Sequence, residues 1–198
     1  LLLDDERKDP AARKKALNSA DIAFLCLPDD AAREAVAMIE NKSVTVIDTS
    51  TAHRTLDGWC YGFPELSAEH REAIAGGSRV AVPGCHASGF IALIEPLIKN
   101  GVLNKDVYLT AFSITGYTGG GKKMIAEYEN EKPELYSAPR QYALSQSHKH
   151  LPEMVAITGL DNAPVFSPIV SDFYSGMEVT VPLFSEWIGG YTAEDIRR

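Results

Sequence analysis

The alternation of strand and helix patterns between residues 22 and 84 constrains the fold of this chain most. Residues 22–27 form a continuous apolar run of strand length, and a helical pattern follows it. Further strand patterns lie at residues 44–47 and 79–82. Such alternation predicts an α/β fold with a buried parallel sheet. The apolar face of the first helix is expected to carry Ala32, Ala35, Val36 and Ile39.

Polar or turn-forming residues follow the predicted strands, at Pro28, Asp48 and Cys85. The carboxyl ends of parallel strands share one edge of a sheet, where ligands bind in open α/β folds. We therefore expect these three positions to converge on one crevice. Asp29 or Asp30 is the predicted N-cap of the first helix.

The pattern changes after Cys85. A helix is predicted from this residue to a stop at Gly101, with an apolar face formed by Phe90, Leu93, Ile94 and Leu97. Strand patterns at residues 107–113 and 177–183 flank a glycine cluster, a polar loop near residues 130–147 and a short helix opened by Pro152. These features predict a partial parallel-sheet domain over residues 1–84 and a second, α+β domain over residues 85–198.

Charge and composition narrow the classes of partner. The net charge is −8 and no Lys/Arg cluster is present, which disfavours nucleic acid and anionic membranes as partners and favours a small solute. The 45% hydrophobic content predicts a folded core rather than disorder. Three cysteines without framework spacing predict a reducing cytoplasm. No apolar run approaches the ~20 residues that span a bilayer.

Both ends of the sequence have the pattern of interior segments. The apolar residues 1–3 are typical of the end of a strand, and no initiator methionine precedes them. At the other end Thr192 and Asp195 form a capping-box pattern that opens a helix about one turn before Arg198. We therefore expect an internal piece of a longer protein.

Cys85 is the candidate nucleophile, because it lies between a predicted strand and the start of a predicted helix. Unsatisfied N–H groups and the helix dipole favour a thiolate at such a position. The alternative is a small buried hydrophobic residue. Cys26, inside its strand, is predicted to be a core residue, and Cys60 has no predicted role.

The segment from His148 to Glu153 contains two histidines and a carboxylate just before and within the predicted helix at Pro152. A histidine can manage the proton of a nucleophilic cysteine, and a carboxylate can orient the ring. Two alternatives are a solvated surface pair and a metal site, although the spacing is not that of known zinc motifs.

The glycine cluster at residues 116–123 matches neither the dinucleotide fingerprint nor the Walker loop. It predicts either a glycine-rich turn or a flexible loop whose N–H groups and lysines approach an anionic ligand.

Together these motifs resemble the N-acetyl-gamma-glutamyl-phosphate reductase family, especially the shorter of its two sequence types. The resemblance spans nearly the whole chain and is specific because seven motifs occur in order. They lie at residues 25–31, 47–50, 61–65, 83–85, 116–123, 148–153 and 166–168.

The resemblance implies a Rossmann-type cofactor domain followed by a catalytic and dimerisation domain in an NADP-dependent, cytoplasmic enzyme of arginine biosynthesis. It implies that Cys85 attacks N-acetyl-gamma-glutamyl phosphate, expels phosphate and forms a thioester that NADPH reduces to the semialdehyde. His148 is the implied acid/base and Glu153 its orienter, with His150 as the competing candidate. No metal is implied, and a homo-oligomer is expected. The implied cofactor-binding residues are Pro28, Ser50, Ser88, Gly89, Gly119, Gly120 and Gly121.

Two departures from the family pattern concern the site. Val82 and His86 stand where the family often has asparagine and an aromatic residue, so His86 is a further candidate base. The family's Gly-rich cofactor loop is expected upstream of Leu1, and its C-terminal part beyond Arg198, so weak NADP binding is expected of this segment.

Alternative functions are a lysine-pathway or aspartate-semialdehyde reductase, a Cys–His hydrolase or acyltransferase without nicotinamide, and a non-catalytic binding module. Arg140 and Lys149 are candidates for binding the substrate carboxylate.

Overall fold

The computed structural model describes residues 6–130 and 132–197. The chain divides into two compact units, with the boundary between Gly84 and Cys85. The predicted strand end at residues 1–3 lies outside the described residues. No helix within the described ranges is both long and apolar enough to cross a membrane.

The first unit contains a four-stranded parallel sheet in the order β1-β2-β4-β3. The strands are β1 (Ile22–Leu25), β2 (Thr45–Asp48), β3 (Cys60–Tyr61) and β4 (Arg79–Ala81). The helices are α1 (Pro10–Ser19), α2 (Asp29–Ala37) and α3 (Ala68–Gly76). A short 3₁₀ turn, Glu6–Lys8, precedes α1. The predicted α/β class with a parallel sheet is therefore confirmed.

The core of this unit lies on one face of the sheet. It is formed by Ala23, Leu25, Ala35, Val44 and Val46, with Leu17, Val36, Ile39 and Trp59 packed against them. Three of the four apolar positions predicted for the first helix pattern thus join this cluster, and Ala32 is also buried.

Two expectations for β1 are wrong. The strand was expected to be buried on both faces, but burial alternates along it and Phe24 is 67% exposed. Cys26, expected in the core, is exposed as well. The physical reason is that β1 pairs only with β2 in the described sheet, and it packs one face against the core. An apolar run gives no information on which faces of a strand are covered.

The predicted N-cap of α2 is also wrong. The helix begins at Asp29 and its N-cap is Pro28, which supplies no side-chain hydrogen bond. Asp29 instead accepts hydrogen bonds from the main-chain N–H of Thr51, at 2.9 Å, and from its hydroxyl. The carboxylate therefore ties the segment after β1 to the segment after β2, so these two strand ends converge as expected.

The second unit contains a mixed four-stranded sheet in the order β6-β7-β5-β8. Strands β5 (Thr110–Gly116) and β7 (Val165–Ser171) run parallel, while β6 (Arg140–Gln141) and β8 (Met177–Thr180) are antiparallel to their neighbours. The helices are α4 (Cys85–Lys99), α5 (Gly121–Glu129), α6 (Leu151–Thr158) and α7 (Ala193–Arg197). Further 3₁₀ turns lie at Tyr117–Gly120, Glu134–Ser137 and Ser185–Ile188.

Several predicted boundaries shift in this unit. The strand expected at residues 107–113 is β5 and begins at Thr110, and the strand expected at residues 177–183 ends at Thr180. The segment expected to be a polar loop contains β6, because its main chain pairs with β7. Leu93, expected on the buried face of α4, is 46% exposed.

Helix ends in the second unit follow sequence signals closely. After α4, Gly101 adopts a φ of 69°, as expected for its predicted stop. Gly159 does the same after α6, with a φ of 74°. The predicted capping box is confirmed: Thr192 Oγ1 accepts from the N–H of Asp195, and Asp195 Oδ2 accepts from the N–H of Thr192.

Candidate active site

Cys85 is the first residue of α4 and is exposed. The helix is fixed in the second unit by its apolar face, because Phe90, Ile91 and Ile94 are fully buried. The thiol therefore lies at the positive end of a helix dipole and remains accessible to a small molecule.

His86, the next residue, is buried and hydrogen-bonded at both ring nitrogens. Its Nδ1 lies 2.6 Å from Ser113 Oγ and its Nε2 lies 2.8 Å from the hydroxyl oxygen of Tyr142. Burial, and then the nearby His148, lower the pKa of His86 from 6.5 to about 4. The ring is consequently neutral at physiological pH. With both nitrogens engaged inside the protein, His86 is suited to position other groups rather than to act as a base.

His148 and His150 lie beside His86. The ring centroids of His148 and His150 are 4.6 Å apart, and each lies less than 6 Å from the ring of His86. The structure thus brings the predicted histidine pair to the residue that follows Cys85 in sequence. Phe166 packs its ring edge-on against His148, at 5.1 Å, and closes one side of the cluster.

The two histidines differ in exposure. His150 is the buried N-cap of α6, whereas His148 is half-buried and accessible to solvent. Burial, followed by the charge of Lys149, lowers the pKa of His148. The main-chain N–H of His150 donates to His148 Nδ1 at 3.1 Å, so the neutral ring carries its proton on Nε2. His148 therefore presents a hydrogen-bond donor.

Tyr142 was missed in the sequence analysis. The residue follows β6 and is half-buried, with its hydroxyl against His86. Burial raises the pKa of Tyr142 to about 12, and the negative charge of the Cys85 thiolate adds to that rise. The phenol thus keeps its proton at physiological pH.

Glu153 lies in the first turn of α6 and is almost fully buried. Its predicted role as the orienter of His148 stays a prediction. No group of three or more His, Cys, Asp or Glu side chains in the described ranges is arranged to hold a metal ion.

The glycine cluster forms a turn followed by a helix. Gly119 and Gly120 belong to the 3₁₀ turn after β5, and Gly121, with a φ of 76°, begins α5. The segment is therefore a glycine-rich turn in its conformation, and its approach to an anionic ligand stays a prediction. Lys122 and Lys123 are exposed.

Ser88 and Gly89 lie on α4, one turn after Cys85. Gly89 has a packing role, since a Cβ atom there would lie 2.5 Å from Val179 Cγ2 on β8. Arg140, a candidate for the substrate carboxylate, is already engaged. Its guanidinium lies 3.5 Å from the centroid of the Tyr136 ring and donates to the Tyr128 hydroxyl. Lys149 is exposed.

In the first unit, Pro28 and Ser50 follow β1 and β2 at the same edge of the sheet. Ser50 donates its hydroxyl proton to Asp48 Oδ2 at 2.6 Å, and His53 Nδ1 lies 2.6 Å from the same oxygen. His53 also stacks on Trp59. His53 is not among the predicted site residues. In the sequence, only its position five residues after Asp48 connects it with the predicted strand end.

Two family models match the chain. Residues 85–198 match the family model described as "Semialdehyde dehydrogenase, dimerisation domain", and residues 5–74 match "Semialdehyde dehydrogenase, NAD binding domain". This chain belongs to the semialdehyde dehydrogenase family.

Within this semialdehyde dehydrogenase family, curated relatives named N-acetyl-gamma-glutamyl-phosphate reductase are similar to the chain. The protein of Chelativorans sp. (strain BNC1) is 50% identical over 182 residues, covering 90% of this chain and 57% of the relative. The protein of Sinorhizobium medicae is 50% identical over 197 residues, covering 98% of this chain and 64% of the relative. The resemblance found from the motifs is thereby confirmed. The chain spans about three fifths of the length of these relatives.

Solved structures support the fold alone, because their sequence identity is low. Aspartate semialdehyde dehydrogenase from Francisella tularensis superposes with a TM-score of 0.63 at 13% identity, covering 93% of this chain and 63% of that structure. The enzyme of Candida albicans, solved with NADP, gives a TM-score of 0.60 at 12% identity, covering 90% and 54%. The predicted Rossmann-type sheet followed by an α+β domain is thereby confirmed as the fold of this chain.

Proposed function

We propose that this chain carries the acylation site of an NADPH-dependent reductase that converts N-acetyl-gamma-glutamyl phosphate into N-acetylglutamate semialdehyde and phosphate, a step of arginine biosynthesis. The observation that carries the proposal is Cys85, exposed at the start of α4 beside a histidine cluster, in a chain half identical to proteins of that name. Three free cysteines suit a reducing compartment such as the cytoplasm.

Cys85 performs the first step. Its thiolate attacks the acyl carbon of the acyl phosphate, a C–S bond forms, and the bond from carbon to the phosphate oxygen breaks. Phosphate leaves with the bonding electrons and the acyl group remains on the sulfur. The positive end of the α4 dipole lies beside the sulfur and stabilises the negative charge that the sulfur carries as nucleophile and again as leaving group.

His148 is the proposed partner in proton transfer. It is more accessible than His150, and its lowered pKa keeps the ring neutral at physiological pH. Since Nδ1 of His148 accepts from the N–H of His150, the ring carries its proton on Nε2. This Nε2–H is proposed to donate a hydrogen bond to an oxygen atom of the bound substrate. To accept a proton at Nε2, the ring first has to release the N–H of His150 from Nδ1. Glu153 and His150 are proposed to hold α6 and the ring in place.

The first unit is proposed to bind the nicotinamide end of the cofactor. Asp29 and Asp30, in the first turn of α2, would repel phosphates but suit ribose hydroxyls and an amide. Pro28 and Ser50 lie at the same edge, so the residues present fit this end of the cofactor. NADPH, when bound, supplies the hydride that reduces the thioester. Ser88, Gly89 and Gly119 to Gly121 are the proposed contacts in the second unit.

A second copy of the chain is the proposed partner. On the second sheet, Phe112 of β5 is 44% exposed and Val165 of β7 is 55% exposed, and their strands are neighbours. The matched family model is described as a dimerisation domain and spans both strands. We propose that this sheet face forms the homo-oligomer interface.

The test uses the reverse reaction, in which N-acetylglutamate semialdehyde reduces NADP in the presence of phosphate. The protein tested is the full chain joined to the N- and C-terminal segments that its relatives have outside the matched region. This protein is expected to be active, and the Cys85→Ser variant should lose the activity. The matched control is Cys26→Ser, which removes another exposed thiol and should retain activity. Activity in Cys85→Ser would contradict the proposal. Thioester hydrolysis without any nicotinamide reaction would instead support a Cys–His hydrolase. A preference for aspartate semialdehyde as substrate would support an aspartate-semialdehyde reductase.

A further inference from the structure

Three hydrogen-bonded side chains connect the core of the second sheet with the residue next to Cys85. Ser113 lies on β5 and is fully buried, and His86 bridges it to Tyr142. His86 directly follows Cys85, the first residue of α4. These residues come from β5, α4 and the segment after β6, so elements distant in sequence position them together.

The direction of each hydrogen bond follows from the buried end. His86 is neutral at physiological pH, so one ring nitrogen donates and the other accepts. Among the described residues, His86 Nδ1 is the partner found for Ser113 Oγ. If Nδ1 donated, the buried hydroxyl proton of Ser113 would lack an acceptor, at a cost of about 1–3 kcal/mol. Ser113 therefore donates to Nδ1.

The direction of the hydrogen bond from Ser113 to His86 determines the direction of the next one. With Nδ1 accepting, the proton of His86 is on Nε2, which donates to the phenolic oxygen of Tyr142 at 2.8 Å. The Tyr142 proton is then not used toward His86. The phenol remains protonated at physiological pH. Its partner His86 directly follows Cys85 in the chain, so the free O–H of Tyr142 lies next to the residue that carries the thiol.

We propose that Tyr142 is a catalytic hydrogen-bond donor to the acyl oxygen at Cys85, where negative charge builds up during acylation and reduction, and that His86 and Ser113 are its positioning residues. This inference rests on the proposed acylation of Cys85. A preorganised donor aimed at a developing oxyanion accelerates acyl transfer by about 10²- to 10³-fold. The donor here comes from a phenol, and its orientation is set by a histidine that stands where the family often has an aromatic residue.

The experiment measures acylation without nicotinamide. The full chain is mixed with p-nitrophenyl acetate, and release of nitrophenolate is followed together with the acetyl group on Cys85 by mass spectrometry. Tyr142→Phe should slow acylation by about 10²-fold while the final acetylation of Cys85 is unchanged. Tyr108→Phe, a change at an exposed tyrosine of the same unit, should react like the wild type.

Alkylation by iodoacetamide distinguishes an oxyanion role from an effect on the thiolate. This reaction uses the same sulfur but forms no oxyanion, so its rate in Tyr142→Phe should stay within about twofold of the wild type. An equal loss in both reactions would show that Tyr142 acts on the thiolate, and no loss in either would remove its role; both results overturn the proposal. Acylation that persists in Cys85→Ser would instead contradict the proposed function.

The positioning residues have their own test. Ser113→Ala should slow acylation, because Nδ1 loses the donor that fixes the tautomer of His86, and Ser113→Thr should restore most of the rate. His86→Gln retains a donor toward Tyr142 and should exceed His86→Leu by about tenfold or more. The positioning role would be contradicted if Ser113→Ala and Ser113→Thr were acylated at equal rates, and His86→Gln and His86→Leu likewise, in variants with unchanged melting temperature.

Discussion

The Nδ1 atom of His86 lies 2.6 Å from Ser113 Oγ inside the second unit. The burial of this ring, and then the nearby His148, make stability dependent on pH. Folding lowers the pKa of His86 from 6.5 to about 4, so the unfolded chain binds a proton more readily between these values. The stabilisation is fully present above about pH 6.5 and is lost as the pH falls toward 4. The maximum loss is roughly 3 kcal/mol.

Urea unfolding of the full chain at pH 7.5, 5.5 and 4.5 measures this loss. His86→Gln removes the titrating group and should show a smaller decrease in the free energy of unfolding with falling pH. Some decrease should remain, because the pKa of His148 is lowered as well. The same pH dependence in both proteins would contradict the assignment to His86.

The labelling rates of the cysteines provide a second prediction. Cys85 and Cys26 are both exposed, but only Cys85 begins a helix. At pH 7, iodoacetamide should label Cys85 at least several-fold faster, because the helix terminus stabilises the thiolate. Peptide mass spectrometry gives both rates from one sample, so Cys26 serves as the internal control for accessibility. Faster labelling of Cys26 would show that the helix terminus does not activate the thiol.

Gly89 leads to a prediction about packing. A Cβ atom there would lie 2.5 Å from Val179 Cγ2, closer than van der Waals contact permits. Gly89→Ala should destabilise the protein by about 1–3 kcal/mol, measured by urea unfolding. Gly76→Ala in α3 is the matched helical control, because a Cβ atom added there would meet no atom outside its own helix within 4 Å. This variant should be neutral or slightly stabilising.

A double variant tests the cause of that loss. Val179→Ala removes the two methyl groups that crowd the added Cβ atom, so it should recover part of the stability lost in Gly89→Ala. Purely additive losses in the double variant would show that the strain arises elsewhere.

Local sequence patterns predicted much of the backbone. Apolar periodicity identified α4 and its stop at Gly101, and the capping box at Thr192 and Asp195 identified α7. These signals succeed because they depend on neighbours within one or two turns. The exposure of Phe24 and Cys26 could not be predicted in this way, since it depends on which elements cover each face of β1.

The candidate site shows the same division between local and distant contacts. Cys85 was identified because its strand-to-helix position is visible in the sequence. Tyr142 was missed because its contact with His86 joins residues 56 positions apart, and the bond of His86 to Ser113 spans 27 positions. From its place after Cys85 alone, His86 is a further candidate base, whereas its burial and its two hydrogen bonds suit it to the proposed positioning role.

The exposed face of the second sheet leads to the last prediction. Phe112 and Val165 are large apolar residues on neighbouring strands, and burying such a face against a second copy would remove it from water. Phe112→Glu should shift the oligomer toward monomer, since an unpaired carboxylate at the interface is costly to desolvate. Sedimentation velocity at several protein concentrations measures the shift. Phe184→Glu, at a residue that is 62% exposed outside the strands, is the control and should leave the sedimentation coefficient unchanged. A monomeric wild-type chain, or an unchanged oligomer in Phe112→Glu, would exclude this face as the interface.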